Sequence, residues 1–223
     1  MKLSRAFAGG LLILLVLFTM NSCFGVSAAI SVRAGGSGTI LLKYRVSQMA
    51  ESLGRLDGNE RWHTVPVGRA DLSRSLDRIP GMRLKSFSEK NTGTDIVTRA
   101  EIEFKTIDAL LAFLDGNGRY ARFAKNGGSN RLTLVVLDGE GRRAANADAD
   151  LSALLQELSQ GYEVHISFTA PGPASLSLLD GEGKPADGAE AARLVSKGKT
   201  VSLTIGTGDL LRLSGGLGME IEW

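Results

Sequence analysis

The sequence predicts an α+β fold: a curled, mostly antiparallel β-sheet, or more than one, with about three amphipathic helices packed on one face. Most of the chain after residue 29 alternates apolar and polar residues with a period of two, as half-buried strands do. Three segments have helical period instead. The spacing is too irregular for a parallel α/β fold, and about nine or ten strands are too many for one flat sheet without curling or splitting.

The strands are expected where the alternation is clearest. Gly35-Gly36-Ser37-Gly38 separates two alternating runs and predicts a β-hairpin. The run from Leu132 to Leu137 is apolar on both faces and predicts a central strand. The residues expected on the buried faces of the other strands are Ile30, Val32, Ile40, Leu42, Tyr44, Val46, Ala100, Ile102, Phe104, Val164, Ile166, Phe168, Val201, Leu203, Ile205, Met219, Ile221 and Trp223.

Three helices are expected between these strands. The first ends at Pro80-Gly81, the second follows Thr106 and the third follows Asp150, and both preceding residues are suitable N-caps. Residues 139–149, rich in Gly, Ala and charge, are expected to be a loop or hinge within one domain that spans residues 29–223. The three apolar stripes consist of Leu72, Leu76 and Ile79; of Ile107, Leu110, Leu111 and Leu114; and of Leu151, Leu154, Leu155 and Leu158.

Residues 1–22 are expected to be a lipoprotein signal peptide. Lys2 and Arg5 precede an apolar run that ends at Met20, and its ~22 Å as a helix is shorter than a bilayer core of ~30 Å. Met20-Asn21-Ser22-Cys23 resembles a bacterial lipobox, which predicts an acylated Cys23 followed by a short tether, residues 23–28 in all. The alternative is signal-peptidase cleavage after Ala28, because Val26-Ser27-Ala28 is a small-x-small site.

Charge and cysteine content exclude several classes of function. The formal net charge is +2, and two of the 26 basic residues lie in the leader, so the rest of the chain is neutral. This balance gives no support to nucleic-acid binding, which needs an excess of Lys and Arg. One Cys and two His exclude a disulfide framework and an ordinary Cys/His zinc site.

No catalytic or metal-binding motif stands out, and no cofactor is expected. His63 and His165 are far apart and lack a local metal or triad pattern, and the chain has no Gly-x-Ser-x-Gly nucleophile turn. The motif D-G-x-G-[KR] recurs at residues 115–119, 138–142 and 180–184 and is typical of chain reversals. Residues 146–157 approach an EF-hand loop but have Leu151 where that loop needs Gly.

The order of elements resembles the LppM-like lipoproteins of the bacterial envelope. The residues that carry this resemblance are Ile79-Pro80-Gly81 after the first helix, Ile102-Glu103-Phe104 before Ile107-Asp108-Ala109-Leu110, and Phe168-Thr169-Ala170-Pro171-Gly172. The likeness covers most of residues 29–223. It implies a non-enzymatic envelope protein that binds lipid or glycolipid, and it brings no catalytic residue to this chain.

Two functions therefore stay open at this point. The first is a non-enzymatic binding or structural module, attached to a membrane through Cys23, that faces the periplasm or the cell exterior and has a lipid or another envelope component as its partner. Its ligand would occupy an apolar crevice between sheet and helices, lined by Leu110, Leu111, Leu114, Leu151, Leu154, Leu155 and Leu158; the alternative is that these leucines only form hydrophobic core, which is the more common role of such stripes. The alternative is a secreted hydrolase, released by cleavage after Ala28, that uses His63 or His165.

Overall fold

The computed structural model describes residues 24–48, 68–115, 118–137, 159–180, 183–186, 191–210, 213 and 216–223. Within these ranges the chain forms eleven strands and three short helices. The strands are β1 (Phe24–Val32), β2 (Gly38–Ser47), β3 (Met82–Asn91), β4 (Asp95–Phe104), β5 (Ala121–Asn126), β6 (Ser129–Leu137), β7 (Glu163–Thr169), β8 (Ser175–Leu179), β9 (Ala192–Lys197), β10 (Thr200–Gly206) and β11 (Leu217–Glu222). The helices are α1 (Arg69–Leu76), α2 (Ile107–Leu114) and α3 (Thr207–Leu210).

Seven strands form the larger sheet, in the order β3-β4-β2-β1-β7-β10-β9. Neighbouring strands run antiparallel, apart from the parallel pair β1–β7. The predicted β1–β2 hairpin is confirmed, with Val32 opposite Gly38. Its turn depends on two glycines: Gly36 has a φ of 80°, and a Cβ on Gly38 would lie 1.9 Å from the carbonyl oxygen of Ser31.

The smaller sheet has four antiparallel strands in the order β5-β6-β11-β8. The apolar run Leu132–Leu137 lies in β6, one of its two inner strands, as the sequence predicts. Trp223, which follows β11, packs against Phe123 of this sheet and Phe168 of the larger one, with ring centroids 5.8 and 5.0 Å apart. This aromatic contact joins the two sheets in one hydrophobic core.

The helices follow the apolar stripes of the sequence. Helix α2 begins after Thr106, whose side-chain oxygen accepts a hydrogen bond from the Ala109 amide at 3.1 Å, which confirms the predicted N-cap. Helix α1 buries Leu72 and Leu76 but ends at Leu76, before the predicted stop at Pro80-Gly81. The four residues of α3 were not expected from the sequence.

The fold differs from the sequence prediction in two respects. The sheets are not strongly curled, because the strands divide between two sheets and neither is large enough to need strong curvature. Residues 24–28, expected to belong to a tether, form the first half of β1. The expected hinge at 139–149 and the expected helix at 151–158 lie outside the described residues. In the described ranges no helix is long and apolar enough to span a membrane.

Candidate functional site

Among the described residues, one face of the larger sheet does not pack on the hydrophobic core, and we call it the open face. Alternation in β2 shows this clearly: Ile40, Leu42, Tyr44 and Val46 are buried, whereas Leu41, Lys43 and Arg45 between them are exposed. Leu41 is 54% exposed, which makes it the most exposed of the large hydrophobic residues in the described ranges. The open face therefore presents both charged and apolar side chains to solvent.

One row of residues crosses six strands of the open face, and we call it the basic row. Strand register places its members side by side, at spacings of ~4.8 Å. Its three cations are exposed, and in the described part of the chain none of the three forms an ion pair with a carboxylate. In strand order from β4 to β9 the basic row consists of Arg99, Lys43, Ser27, His165, Thr204 and Arg193.

The cations at the β3–β4 end of the same face are neutralised. Arg83 Nη2 lies 2.6 Å from Glu103 Oε2, and Lys85 Nζ lies 2.9 Å from Glu101 Oε1. These ion pairs lower the pKa of Glu103 and raise the pKa of Lys85. No described carboxylate compensates the three cations of the basic row in this way, although the protein body as a whole is neutral.

A cavity of about 160 Å³ opens on this face where β1, β2 and β7 meet. Its floor includes Gly25, where a Cβ would lie only 3.2 Å from the Glu163 carbonyl oxygen of the neighbouring strand. A side chain at this position would crowd the cavity, so glycine keeps the floor open. The lining residues are Gly25, Val26, Ser27, Lys43, Arg45, Gly161, Tyr162, Glu163 and His165.

Arg45 and Tyr162 line this cavity, and Asp95 bonds to both of them. Asp95 is 5% exposed and accepts hydrogen bonds from Arg45 Nε at 3.0 Å and from the Tyr162 hydroxyl at 2.6 Å. Burial opposes ionisation of Asp95, but these hydrogen bonds and the Arg45 charge outweigh it and lower the pKa of the carboxyl. Burial and the bond to Asp95 raise the pKa of Tyr162 to about 12. The Arg45 guanidinium also lies 4.8 Å from the Tyr162 ring centroid.

His165 lies at the centre of the basic row, on the polar face of β7 that the sequence predicts for it. Its Nδ1 is 2.8 Å from the hydroxyl of Thr204. Among the described residues no carboxylate bonds to the imidazole. His63 lies outside the described residues.

The leucines predicted to line an apolar crevice are described only in part. Leu110 and Leu114 are buried in the core, and Leu111 is half-buried against it. The other predicted lining residues, Leu151, Leu154, Leu155 and Leu158, lie outside the described residues, so the crevice stays a prediction. Cys23 also lies outside the described residues. Within the described ranges no group of three or more His, Cys, Asp or Glu is placed to hold a metal.

The D-G-x-G-[KR] motifs lie in turns where they are described. The Asp180 amide donates to the Lys184 carbonyl oxygen at 2.8 Å, and the Lys184 amide donates to Asp180 Oδ1 at 2.9 Å. Asp115 accepts hydrogen bonds from the amides of Tyr120 and Ala121 with its side chain. Both motifs use the aspartate to close the chain reversal, and the motif at 138–142 lies outside the described residues.

Sequence reasoning did not find the basic row. Arg99 and Lys43 each occupy a polar position of an alternating strand, which predicts exposure and nothing more, and β9, which carries Arg193, has no clean alternation. Only the pairing of β4 with β2, of β1 with β7 and of β10 with β9 brings these distant positions into line. The available signal was limited to β2 and β9, whose positions on this face carry basic residues and no acidic one.

No known protein family matches this chain, and no curated protein matches it. Among solved structures, the folded domain of LppM from Mycobacterium tuberculosis, determined by NMR, is similar, with a TM-score of 0.44 and 9% sequence identity. The match covers 99% of this chain and 94% of that chain. The resemblance expected from the sequence is thereby confirmed as a resemblance, and it extends to no ligand, anchor or activity.

Proposed function

We propose that this protein is a bacterial envelope lipoprotein, held at a membrane through acyl chains on Cys23 and facing the periplasm or the cell exterior. In this proposal it is a non-enzymatic module that binds a lipid or glycolipid of the envelope. Two acyl chains at ~0.8 kcal/mol per buried CH₂ are enough for stable anchoring.

The position of β1 is the observation that carries the proposal. β1 begins at Phe24, directly after Cys23, and lies between β2 and β7. Cleavage before Cys23 leaves this strand whole. Cleavage after Ala28 would remove five of its nine residues, including Val26, which is 4% exposed. The fold therefore favours the lipobox over the alternative cleavage site.

The exposed apolar residues of the open face support a lipid ligand. Leu41 and Val195 belong to the row next to the basic row, and they are 54% and 47% exposed. In register, the small side chains of Ala29, Ser167 and Ser202 lie between the two. A surface with apolar residues beside cations suits a molecule that has both an acyl or isoprenoid part and a polar headgroup.

The hydrolase alternative receives less support from the same geometry. It depends on cleavage after Ala28, which would remove Ser27, the hydroxyl side chain opposite His165 in register. The other neighbour of His165 in its row, Thr204, already bonds to the imidazole. A non-enzymatic role needs none of these groups to react.

Maturation of two variants tests the anchor. We expect wild type to incorporate a palmitate analogue and Cys23→Ala to lose this label, with intact-mass analysis finding the acyl chains on residue 23. Ala28→Val is the matched control, because it spoils the small-x-small site but a strand accepts valine, so maturation should not change. The proposal would be refuted if the mature chain began at Ala29 and carried no label, and if Ala28→Val changed its maturation while Cys23→Ala did not.

Binding of a fluorescent lipid probe tests the ligand. Leu41→Ser should weaken probe binding at least ~5-fold, since it removes an apolar contact from the open face. Leu194→Ser is the matched control: Leu194 is 40% exposed but its position in register is on the opposite face. Equal effects of the two substitutions, or none from Leu41→Ser, would show that the open face does not bind the probe.

A further inference from the structure

We propose that the basic row and the cavity beside it form a binding site for a phosphate group. This deepens the proposed function by naming the chemistry of the ligand's headgroup, and it rests on that function only for the ligand's source. The phosphate would lie over Ser27, with Lys43 and Arg99 on one side and His165 on the other.

The first argument is an uncompensated electrostatic cost. Lys43 and Arg99 are directly opposite each other on neighbouring antiparallel strands, and like charges in this arrangement destabilise a sheet. Neither has an acidic partner within the described ranges, whereas Arg83 and Lys85 on the same face do. A pair that opposes folding and has no internal counter-ion is explained if an external anion neutralises it.

The second argument is the set of hydrogen-bond donors at the cavity. The Lys43 ammonium has three donors, and the Ser27 hydroxyl and the imidazole nitrogen of His165 that does not contact Thr204 are further polar groups in its lining. Phosphate has four oxygens arranged tetrahedrally and forms its strongest hydrogen bonds with charged donors. Gly25 in the floor leaves room for it.

Two carboxylates near the cavity determine where the anion lies. Asp95 is buried and bonds to Arg45 and Tyr162, so its charge is already compensated. Glu163 lines the cavity, is exposed and forms no ion pair with a described residue. Its charge therefore repels an anion from its side of the cavity and directs the anion towards Lys43 and Arg99. Because Glu163→Gln removes this repulsion, the variant should bind phosphate more tightly.

The third argument is proximity to the predicted anchor. Gly25 lines the cavity and is two residues after Cys23, so at most ~7 Å of backbone separates them. Acyl chains on Cys23 would then hold the cavity close to the membrane surface, where phospholipid and phosphorylated glycolipid headgroups carry phosphate. The phosphate of such a headgroup is the source that the geometry favours, and free phosphate is the alternative source.

Amide chemical-shift changes measured by NMR test the proposal on the full mature chain in an uncharged detergent. One arm adds inorganic phosphate, and another dopes the micelles with short-chain phosphatidylglycerol or, separately, phosphatidylcholine. We expect saturable shifts at Ser27, Lys43 and His165. Saturation by phosphatidylglycerol but not by inorganic phosphate assigns the site to a lipid headgroup, and the reverse assigns it to a soluble phosphate. Equal shifts with chloride at matched ionic strength, or none in any arm, overturn the proposal.

Substitutions separate binding from folding. Lys43→Gln should weaken phosphate binding about tenfold, whereas Lys125→Gln, an exposed lysine of the other sheet, should leave it unchanged. Arg99→Glu creates an opposite-charge pair with Lys43, so it should weaken binding while raising the unfolding temperature. A lower unfolding temperature for Arg99→Glu, or equal binding by the two lysine variants, would contradict the proposal.

The acylation of Cys23 is measured independently by mass, so the two proposals fail separately. An unacylated chain that still binds phosphate refutes the anchor and keeps the site. An acylated chain that binds none refutes the site and keeps the anchor.

Discussion

Replacing Asp95 by alanine should destabilise the protein by about 2–4 kcal/mol, because it removes the acceptor that holds the wall of the cavity. Hydrogen bonds to a charged group contribute ~1.5–3 kcal/mol, which applies to the bond from the Tyr162 hydroxyl at 2.6 Å. The Arg45 side chain is 46% exposed, so its bond to Asp95 adds only ~0.2–1 kcal/mol. For a chain of this size, a loss of this magnitude lowers the unfolding temperature by roughly 5–15 °C.

The matched control is Asp71→Ala. Asp71 pairs with Arg74 at 3.2 Å, but both side chains are more than half exposed, so the expected loss is below ~1 kcal/mol. Urea unfolding at neutral pH measures both variants. An Asp95→Ala loss no larger than that of Asp71→Ala would refute the reasoning, since it would mean that burial of the carboxylate adds nothing.

The loss of stability caused by Asp95→Ala should depend on pH. The pKa of Asp95 is lowered in the folded protein from its ordinary value of 3.8. Its contribution to stability is therefore complete above that value and is lost as the pH falls through the folded-state pKa. The difference in unfolding free energy between wild type and Asp95→Ala should be constant from pH 7 to pH 5 and should shrink below about pH 4. A difference that shrinks already between pH 7 and pH 5 would contradict the lowered pKa.

Four further predictions follow from single contacts. Tyr44 is 3% exposed and its hydroxyl has no hydrogen bond to a described residue, so Tyr44→Phe should not destabilise the protein and should stabilise it by up to ~1 kcal/mol in urea unfolding. Thr106→Ala should lose ~1 kcal/mol in the same assay and Thr106→Ser much less, because serine also caps a helix. The pKa of Tyr162 is raised to about 12, so the contribution of its hydroxyl to the free energy of unfolding is complete below pH 10 and is lost as the pH rises to about 12. The difference in unfolding free energy between wild type and Tyr162→Phe should therefore shrink over this pH range. Leu110→Ala should lose ~2–5 kcal/mol and Leu111→Ala clearly less, because Leu110 is fully buried and Leu111 is not; equal losses would contradict the assigned burial.

Alternation of apolar and polar residues was enough to predict most strands and their buried faces. The expected buried residues of β2, for example, are all buried in the structure. The edge strand β3 was missed because its side chains are mostly exposed on both faces, so it has no clean alternation. The prediction of curled sheets was wrong because the number of strands does not tell how the strands divide between sheets.

The candidate site was beyond prediction for a related reason. A period of two assigns each side chain to a face, but it does not identify the neighbouring strand. Lys43 and His165 are separated by more than a hundred residues in sequence and by one strand in the sheet. The pairing of β1 with β7 joins them, and no local pattern encodes that pairing. Thr106 could be predicted as an N-cap because its partner is only three residues away.

The parallel pairing of β1 with β7 also determines the order in which the fold can be completed during synthesis. The β1–β2 hairpin is local and can close within microseconds once both strands are available. Its β1 edge then remains open until residues 163–169 have been made, which at ~5–20 residues per second takes several seconds. During that time the backbone amides and carbonyls of Val26 to Ser31 are an unsatisfied strand edge of the kind that recruits other chains. The nascent chain is thus most prone to aggregation before β7 emerges, and a factor that shields the β1 edge during this interval would raise the yield of folded protein.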